Sequence, residues 1–352
     1  MDQTLRFGIV GCGRIAPRHV QGLLQVPGAQ IVATADIRES RAAHMAEEVS
    51  KEHALLGRTR VEPYTEYRRL LERSDIDVVN ICTPSGLHPQ MSIEAMEAGK
   101  HVICEKPMAL SVADADRMIE ASRRTGKRLC IVLQNRYNAP MRDLRRVVDE
   151  GSLGRLYLGS ATVRWYRPQE YYEDDWHGTH AMDGGALMNQ SIHHIDALQW
   201  IMGDVESLFA STATLAHQME AEDVGVATLR FRSGALGVVE GSTLTWPQNL
   251  EGSVAIFGEK GSVKVGGTAL NRKVMWKIDG QLQHEREVLS HDEVDPPSVY
   301  GQSHKQVFQE MVAALHQDRD HEMNGPQARK SVAIVAAMYE SSRTGRQIHF
   351  DE

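Results

Sequence analysis

Between residues 5 and about 133, short β-branched runs alternate with amphipathic stretches, and this rhythm restricts the fold more than any other feature. The runs LRFGIV, QIVATAD, VVNICT, HVIC and RLCIVL read as buried strands. The stretches beginning near Arg14, Arg38, Thr65, His88 and Ser111 read as helices. Such alternation implies a parallel sheet covered on both faces, with right-handed crossovers. Residues 51–60 extend the second helix into a loop. From about residue 134 the rhythm changes: a helix over 139–150, the strand RLYLGSATVRWYR, an irregular aromatic loop and another helix precede a series of alternating strands. These predict a large, mainly antiparallel open sheet with one face covered. Helices over 302–317 and 325–344 close the chain. The fold class is therefore α/β, a doubly wound parallel sheet over 1–133 followed by an α+β domain over 134–352. A chain of 352 residues exceeds one ordinary hydrophobic core, which agrees with two domains.

With 39 basic and 47 acidic side chains the formal charge is −8, which excludes a general nucleic-acid or membrane-surface binder. An anionic ligand needs a local basic pocket instead. The sequence has no apolar run of membrane-spanning length and no secretion-signal layout at its start, so a cytoplasmic location is expected. Four cysteines, Cys12, Cys82, Cys104 and Cys130, stand apart near strand ends and read as buried thiols of a reducing compartment. No CxxC pair occurs, and the adjacent His193 and His194 diverge by about 100° on a helix. No metal is expected.

FGIVGCGRIAPRHV is strand, turn and helix in the order of a dinucleotide fingerprint, so the first domain reads as a Rossmann fold. Gly11 permits the tight turn and Gly13 lets the backbone approach a pyrophosphate. Arg14 and Ile15 follow in the same turn, and Ala16 fills the close-packing position. The helix N-terminus favours the negative charge. Asp36 ends the next strand, where a carboxylate accepts from ribose hydroxyls and repels a 2′-phosphate; NAD is the expected cofactor. Thr83, Pro84 and His88 in TPSGLHP follow the fourth run, at the carboxyl edge where ligands of such sheets collect; for His88 the equal alternative is that it simply begins the next helix.

GGALMNQSIHHIDALQW, residues 184–200, places Asn189, His193 and Asp196 at i, i+4 and i+7, on one stripe of a predicted helix. Met188, Ile192 and Ile195 supply its core-facing side. A buried histidine satisfied by neighbours is the plain alternative for this pattern.

CEKPMA at 104–109, GIVGCGRIA, TPSGLH and the GG…N…H…D helix together resemble the Gfo/Idh/MocA family of NAD(P)-dependent oxidoreductases, over essentially the whole chain. The resemblance implies that Lys106 lies beside nicotinamide and substrate, and Glu105 near the nicotinamide ribose. It also implies that His193 is the substrate-domain histidine. Asn189 stands where polyol and inositol dehydrogenases carry a carboxylate, and an amide cannot share a proton. RPQEYYEDDWHGT, DGGALMNQ, RSGALG and SVYG are similar to the subgroup that oxidises C3 of UDP-N-acetylglucosaminuronate. On that reading His193 is the general base and Lys106 orients the hydroxyl, or the two roles are exchanged, since a lysine depressed by burial is also a competent base. The resemblance further implies a homotetramer, and 2-oxoglutarate as a recycling acceptor.

Asn135 and Arg136 in QNRYN are candidates for the pocket wall. Arg164 and Arg167 are candidates for a diphosphate or uronate, Tyr172 for stacking, Asn189 for positioning the sugar and His304 for a phosphate. The fingerprint and CEKPMA alone would equally suit a free sugar or inositol substrate. A non-catalytic NAD-binding sensor is the reading from another class.

Overall fold

The computed structural model describes residues 4–55, 60–267, 269–280 and 303–351. Part of the 51–60 loop and the whole of SVYG (298–301) lie outside them. The chain forms two compact units, Met1–Val132 with His304–Arg329, and Leu133–Ser303 with Lys330–Glu352. The return of 304–329 to the first unit has no signal in the sequence division at 133/134.

The first unit carries strands β1 (Leu5–Val10), β2 (Ala29–Ala35), β3 (Glu62–Tyr64), β4 (Val78–Ile81), β5 (His101–Cys104) and β6 (Leu129–Ile131), in the order β3-β2-β1-β4-β5-β6. All pairings are parallel. This is the doubly wound order whose switch point falls between β1 and β4. The central strands are near-continuous apolar runs because helices cover both faces. β3 was absent from the strands expected: it is a three-residue edge strand containing Pro63, with mostly exposed side chains, and so has no hydrophobic pattern. Helices α1 (Ala16–Leu24), α2 (Glu39–Leu55), α3 (Tyr67–Leu71), α4 (His88–Glu97) and α5 (Val112–Thr125) connect the strands. Local chemistry sets their ends. In α5 the Ser111 hydroxyl accepts from Asp114 N–H at 3.1 Å, and Gly126 (φ 67°) closes the helix in the left-handed conformation.

The second unit holds α6 (Ala139–Asp149), α7 (Ile192–Met202) and an eight-stranded sheet. Its strands are β7 (Leu156–Arg164), β8 (Val205–Ala213), β9 (Val224–Phe231), β10 (Leu236–Ser242), β11 (Glu251–Gly258), β12 (Gly261–Gly266), β13 (Arg272–Ile278) and β14 (Ile348–His349). The order is β13-β12-β11-β7-β10-β9-β8-β14, and only β7 and β10 run parallel. Strict burial alternation in β9 and β10 marks one covered and one open face. On the covered face glycines let the helical layer approach closely. A Cβ on Gly159 would lie 2.8 Å from Leu198, on Gly225 2.6 Å from Leu187, and on Gly252 2.8 Å from His194. The α7 layer is thus seated on bare backbone. Helix α8 (His304–His316) packs on α1 in the first unit, and α9 (Gly325–Thr344) ends the helical set.

Among the described residues no helix is long and apolar enough to cross a membrane. All four cysteines are buried and unbridged. Burial pushes the Cys12 thiol up to about 12 and also raises those of Cys82, Cys104 and Cys130, so none is a reactive thiolate at neutral pH.

Candidate functional site

At the carboxyl edge of the parallel sheet the fingerprint turn is fixed by sterics. Gly11 has φ 89°, and a Cβ there would stand 2.7 Å from the Cys82 carbonyl. A Cβ on Gly13 would meet nothing within 4 Å, which is the open approach a pyrophosphate requires. Ile15 precedes α1 without a side-chain cap, so the first N–H groups of the helix keep their capacity for an anion. Arg14 is exposed and Ile15 half-buried beside this opening. The Asp36 carboxylate accepts from Cys12 N–H at 2.8 Å and Arg38 N–H at 2.9 Å, which fixes it against the same turn. The residues present therefore fit a dinucleotide with a free 2′-hydroxyl.

Thr83 and Pro84 are half-buried after β4. His88, expected at the cofactor, is instead a brace: it is 1% exposed, with Nε2 2.9 Å from the Thr83 carbonyl and Nδ1 2.8 Å from the Pro107 carbonyl. It packs between the loop after β4 and the loop after β5; burial holds its pKa below the usual histidine value, so the neutral ring donates to one of the two carbonyls. Glu105 is buried, and its Oε2 accepts from Lys106 N–H at 3.1 Å. Burial alone would raise its pKa, but the hydrogen bond from His19, with the Lys106 ammonium nearby, outweighs that and brings it to about 2. His304, expected to reach a phosphate, lies in the first unit, 3% exposed, with Nε2 3.9 Å from Glu105. Burial brings its pKa to about 4, so at neutral pH it offers an anion one N–H and no charge.

In the second unit the single helical stripe is not observed. Ala186–Gln190 form a π-turn, with Ser191 N–H bonded to the Ala186 carbonyl at 2.9 Å, and α7 begins only at Ile192. Asn189 therefore sits on the π-turn, and His193 on the first turn of α7. The two glycines explain the entry. Gly184 has φ 81°, and a Cβ on Gly185 would overlap the carboxylate and backbone carbonyl of Glu222. Glu222 Oε1 accepts from Leu187 N–H at 2.7 Å and from the Tyr339 hydroxyl at 3.0 Å, so a buried acid caps the turn carrying Asn189.

Asn189 Nδ2 donates to Asp183 Oδ1, while Asp183 Oδ2 accepts from Gly178 N–H at 2.8 Å. Asp183 is 1% exposed. A carboxylate six residues earlier thus orients the Asn189 amide. His193 is buried on α7, and its neighbour His194 is a core residue: burial brings its pKa to about 4 and its ring stands edge-on to Trp165 at 5.7 Å.

The arginine candidates separate clearly. Arg136 is buried and bidentate to Asp196, at 2.7 and 2.6 Å, so its charge is already neutralised and Asp196 serves to hold it. Truncating either partner would leave the other charge buried, a change of about 3–5 kcal/mol. Arg164 points to the open face of the sheet, opposite α7, and is held by Glu240 (2.7 Å, twice) and Glu251 (3.0 Å). That network, set by strand alternation, replaces the expected substrate contact. Arg167 meets only uncharged groups among the described residues: the Tyr166 carbonyl (2.7 Å), Asn249 Oδ1 (3.2 Å), Gln190 Oε1 (2.8 Å) and the rings of Trp165 and Tyr171. Its bond to Gln190 puts this cation beside the π-turn. Tyr172, expected to stack on a ligand, is 8% exposed and donates to Thr243 Oγ1 at 3.1 Å, so it packs the loop. Asn135 is buried, and its side-chain oxygen has no hydrogen-bond partner among the described residues.

Sequence reasoning missed Asp183, Glu222 and His19. Only Asp183, adjoining the glycine pair, carried a local signal.

Glu222 gives a pH prediction. Burial raises its pKa from 4.5 to about 7. The folded state therefore binds the proton more tightly than the unfolded chain. The resulting stability is complete below pH 4.5 and is lost as pH rises through 7, by roughly 3 kcal/mol. Denaturant unfolding between pH 5 and 8 should show wild type losing stability while Glu222→Gln, which keeps the acceptor for Leu187 N–H, stays flatter; parallel curves would refute the assignment.

Sheet order, fingerprint turn and Asp36 define an NAD-dependent oxidoreductase with a second, open-sheet domain. Residues 5–133 match the model of an oxidoreductase family with an NAD-binding Rossmann fold, and residues 141–264 match the GFO/IDH/MocA C-terminal domain. The chain belongs to the Gfo/Idh/MocA family. Among solved structures it is similar to the WlbA dehydrogenase of Chromobacterium violaceum, determined with NADH and UDP-GlcNAcA (38% identity, 100% of this chain and 97% of that one, TM-score 0.88). It is also similar to the WlbA dehydrogenase of Bordetella pertussis, with the same two ligands (39% identity, 100% and 99% covered, TM-score 0.87). The myo-inositol 2-dehydrogenase of Thermotoga maritima is 31% identical over 74% of each chain.

Proposed function

We propose that the enzyme oxidises the C3 hydroxyl of UDP-N-acetyl-D-glucosaminuronate to the 3-keto sugar, in nucleotide-sugar supply for surface polysaccharide. The supporting observation is full-length likeness, at 38–39% identity, to two dehydrogenases crystallised with that UDP-sugar. NAD, when bound, supplies the acceptor for the hydride leaving carbon. Gly11, Gly13, Arg14 and Ile15 hold its pyrophosphate, Asp36 its adenosine ribose, Thr83 and Pro84 line it, and Glu105 serves the nicotinamide ribose. His193 takes the hydroxyl proton, and Lys106 orients the hydroxyl and lowers its pKa. Asn189, with one N–H anchored on Asp183, offers its side-chain oxygen to a donor on the sugar. Arg167 is the cation for diphosphate or uronate, and Asn135 the further pocket polar group.

The open sheet face exposes Phe209, Val226, Leu236 and Val238 as an apolar patch, which supports burial against a second copy within a homotetramer. Four buried, unbridged thiols support a cytoplasmic location. 2-Oxoglutarate is the proposed acceptor that recycles reduced cofactor.

A second reading, oxidation of a free inositol, is favoured by the 31% identity to the Thermotoga maritima enzyme. Single-turnover incubation of enzyme and NAD with UDP-N-acetylglucosaminuronate or with myo-inositol separates them. Stoichiometric NADH from the UDP-sugar alone is expected. NADH from myo-inositol alone would overturn the assignment.

A further inference from the structure

We propose that His19 is a positioning residue for the nicotinamide half of the cofactor site, acting through Glu105. The inference rests on the reading that the Glu105–Lys106 turn serves that half.

His19 lies on α1, just past the fingerprint turn, and is 0% exposed. Its Nε2 is 2.7 Å from Glu105 Oε1. Glu105 is ionised, so its oxygens only accept, and the shared proton belongs to His19 Nε2. On the other side of the ring, Asn80 Nδ2 donates to Nδ1 at 3.4 Å, which fits the same tautomer. The second oxygen of Glu105 accepts from Lys106 N–H. One carboxylate thus links α1, which follows the pyrophosphate turn, to the backbone of Lys106.

The ring is confined as well as bonded. His304 packs against it with centroids 5.5 Å apart, and Phe308 meets it edge-on at 5.3 Å. Both come from α8, the segment that returns to this unit late in the chain. His304 Nε2 stands 3.9 Å from Glu105 Oε1, beyond hydrogen-bond reach, which leaves that oxygen to His19 at 2.7 Å. Ligating atoms of His19, Glu105 and His304 lie within 4.8 Å of one another, a spacing that also invites a metal reading. The 2.7 Å contact is a hydrogen bond, whereas two ligands of one tetrahedral zinc stand about 3.3 Å apart. The site is built to share a proton.

The test uses the full chain and two variants. His19→Leu fills the space without a donor, and His19→Gln restores an N–H. Calorimetric titration should show His19→Leu binding NAD about tenfold more weakly and His19→Gln within threefold of wild type, with ADP affinity unchanged in both. Rescue by glutamine and the split between NAD and ADP are responses that a purely structural role would not produce. Wild-type NAD affinity in His19→Leu, equal weakening in both variants, or stoichiometric zinc in the purified wild type would each overturn the proposal. Glu105→Ala distinguishes the two levels. If it also leaves NAD affinity unchanged, the cofactor role of the turn fails; if it alone weakens NAD, only the role of His19 fails.

Discussion

Replacing Lys106 by methionine is expected to lower kcat by roughly a thousandfold while NAD affinity changes by less than tenfold. Methionine keeps the length and apolar stem of the side chain and removes only the ammonium. Lys106 is half-buried on the turn after β5, with its backbone N–H held by Glu105. The backbone arrangement therefore survives the substitution, and the loss falls on the chemical step. Single-turnover NADH formation and calorimetric NAD binding, measured on the same preparation, check this. Equal loss of turnover and of NAD affinity would assign Lys106 to cofactor binding alone. Unchanged biological activity in a variant that still binds NAD would favour a non-catalytic sensor.

His193→Asn is expected to lower kcat by about 10²–10³ and to abolish the limb of the kcat/KM profile that rises with pH. The base must be deprotonated to accept the hydroxyl proton, so activity in wild type increases as pH rises through its pKa. Asparagine retains polarity and comparable size but cannot accept a proton at these pH values. A variant that is slow yet keeps the wild-type limb would transfer the base role to Lys106. Neighbouring His194 provides the control, because it is a neutral core residue against Trp165 and Gly252. Damage at His194 should appear in stability rather than in the pH profile.

The parts of this fold that were legible in the sequence are those set by local rules. Buried strands such as LRFGIV and HVIC showed as apolar runs, the start of α5 as Ser111, and the cofactor turn as Gly11, Gly13 and Asp36. What could not be read depends on partners distant in the chain. The π-turn at Ala186–Gln190 is set by Glu222, more than thirty residues away, so an ordinary helical stripe was the natural expectation. Arg164 and Arg167 are three residues apart, and both were candidates for a diphosphate or uronate. Strand alternation sends the first to Glu240 and Glu251 on the open face, whereas the second lies past the strand end beside Gln190. His304 shows the same limitation, because nothing in its neighbourhood announces that α8 packs back onto α1. Asn189 is the most instructive case. Read alone it suggested a lost carboxylate; the structure shows Asp183 anchoring the amide, a contact that position 189 alone did not announce.

The central claim is that hydride leaves C3 of a nucleotide-linked uronate, and isotopic labelling tests it most directly. UDP-N-acetylglucosaminuronate carrying deuterium only at C3 is mixed with excess enzyme and NAD for one turnover, and the reduced cofactor is analysed by mass spectrometry. The account predicts one deuterium in the reduced nicotinamide and a slowed chemical step. Unlabelled NADH formed at the ordinary rate, with deuterium retained in the sugar product, would contradict it.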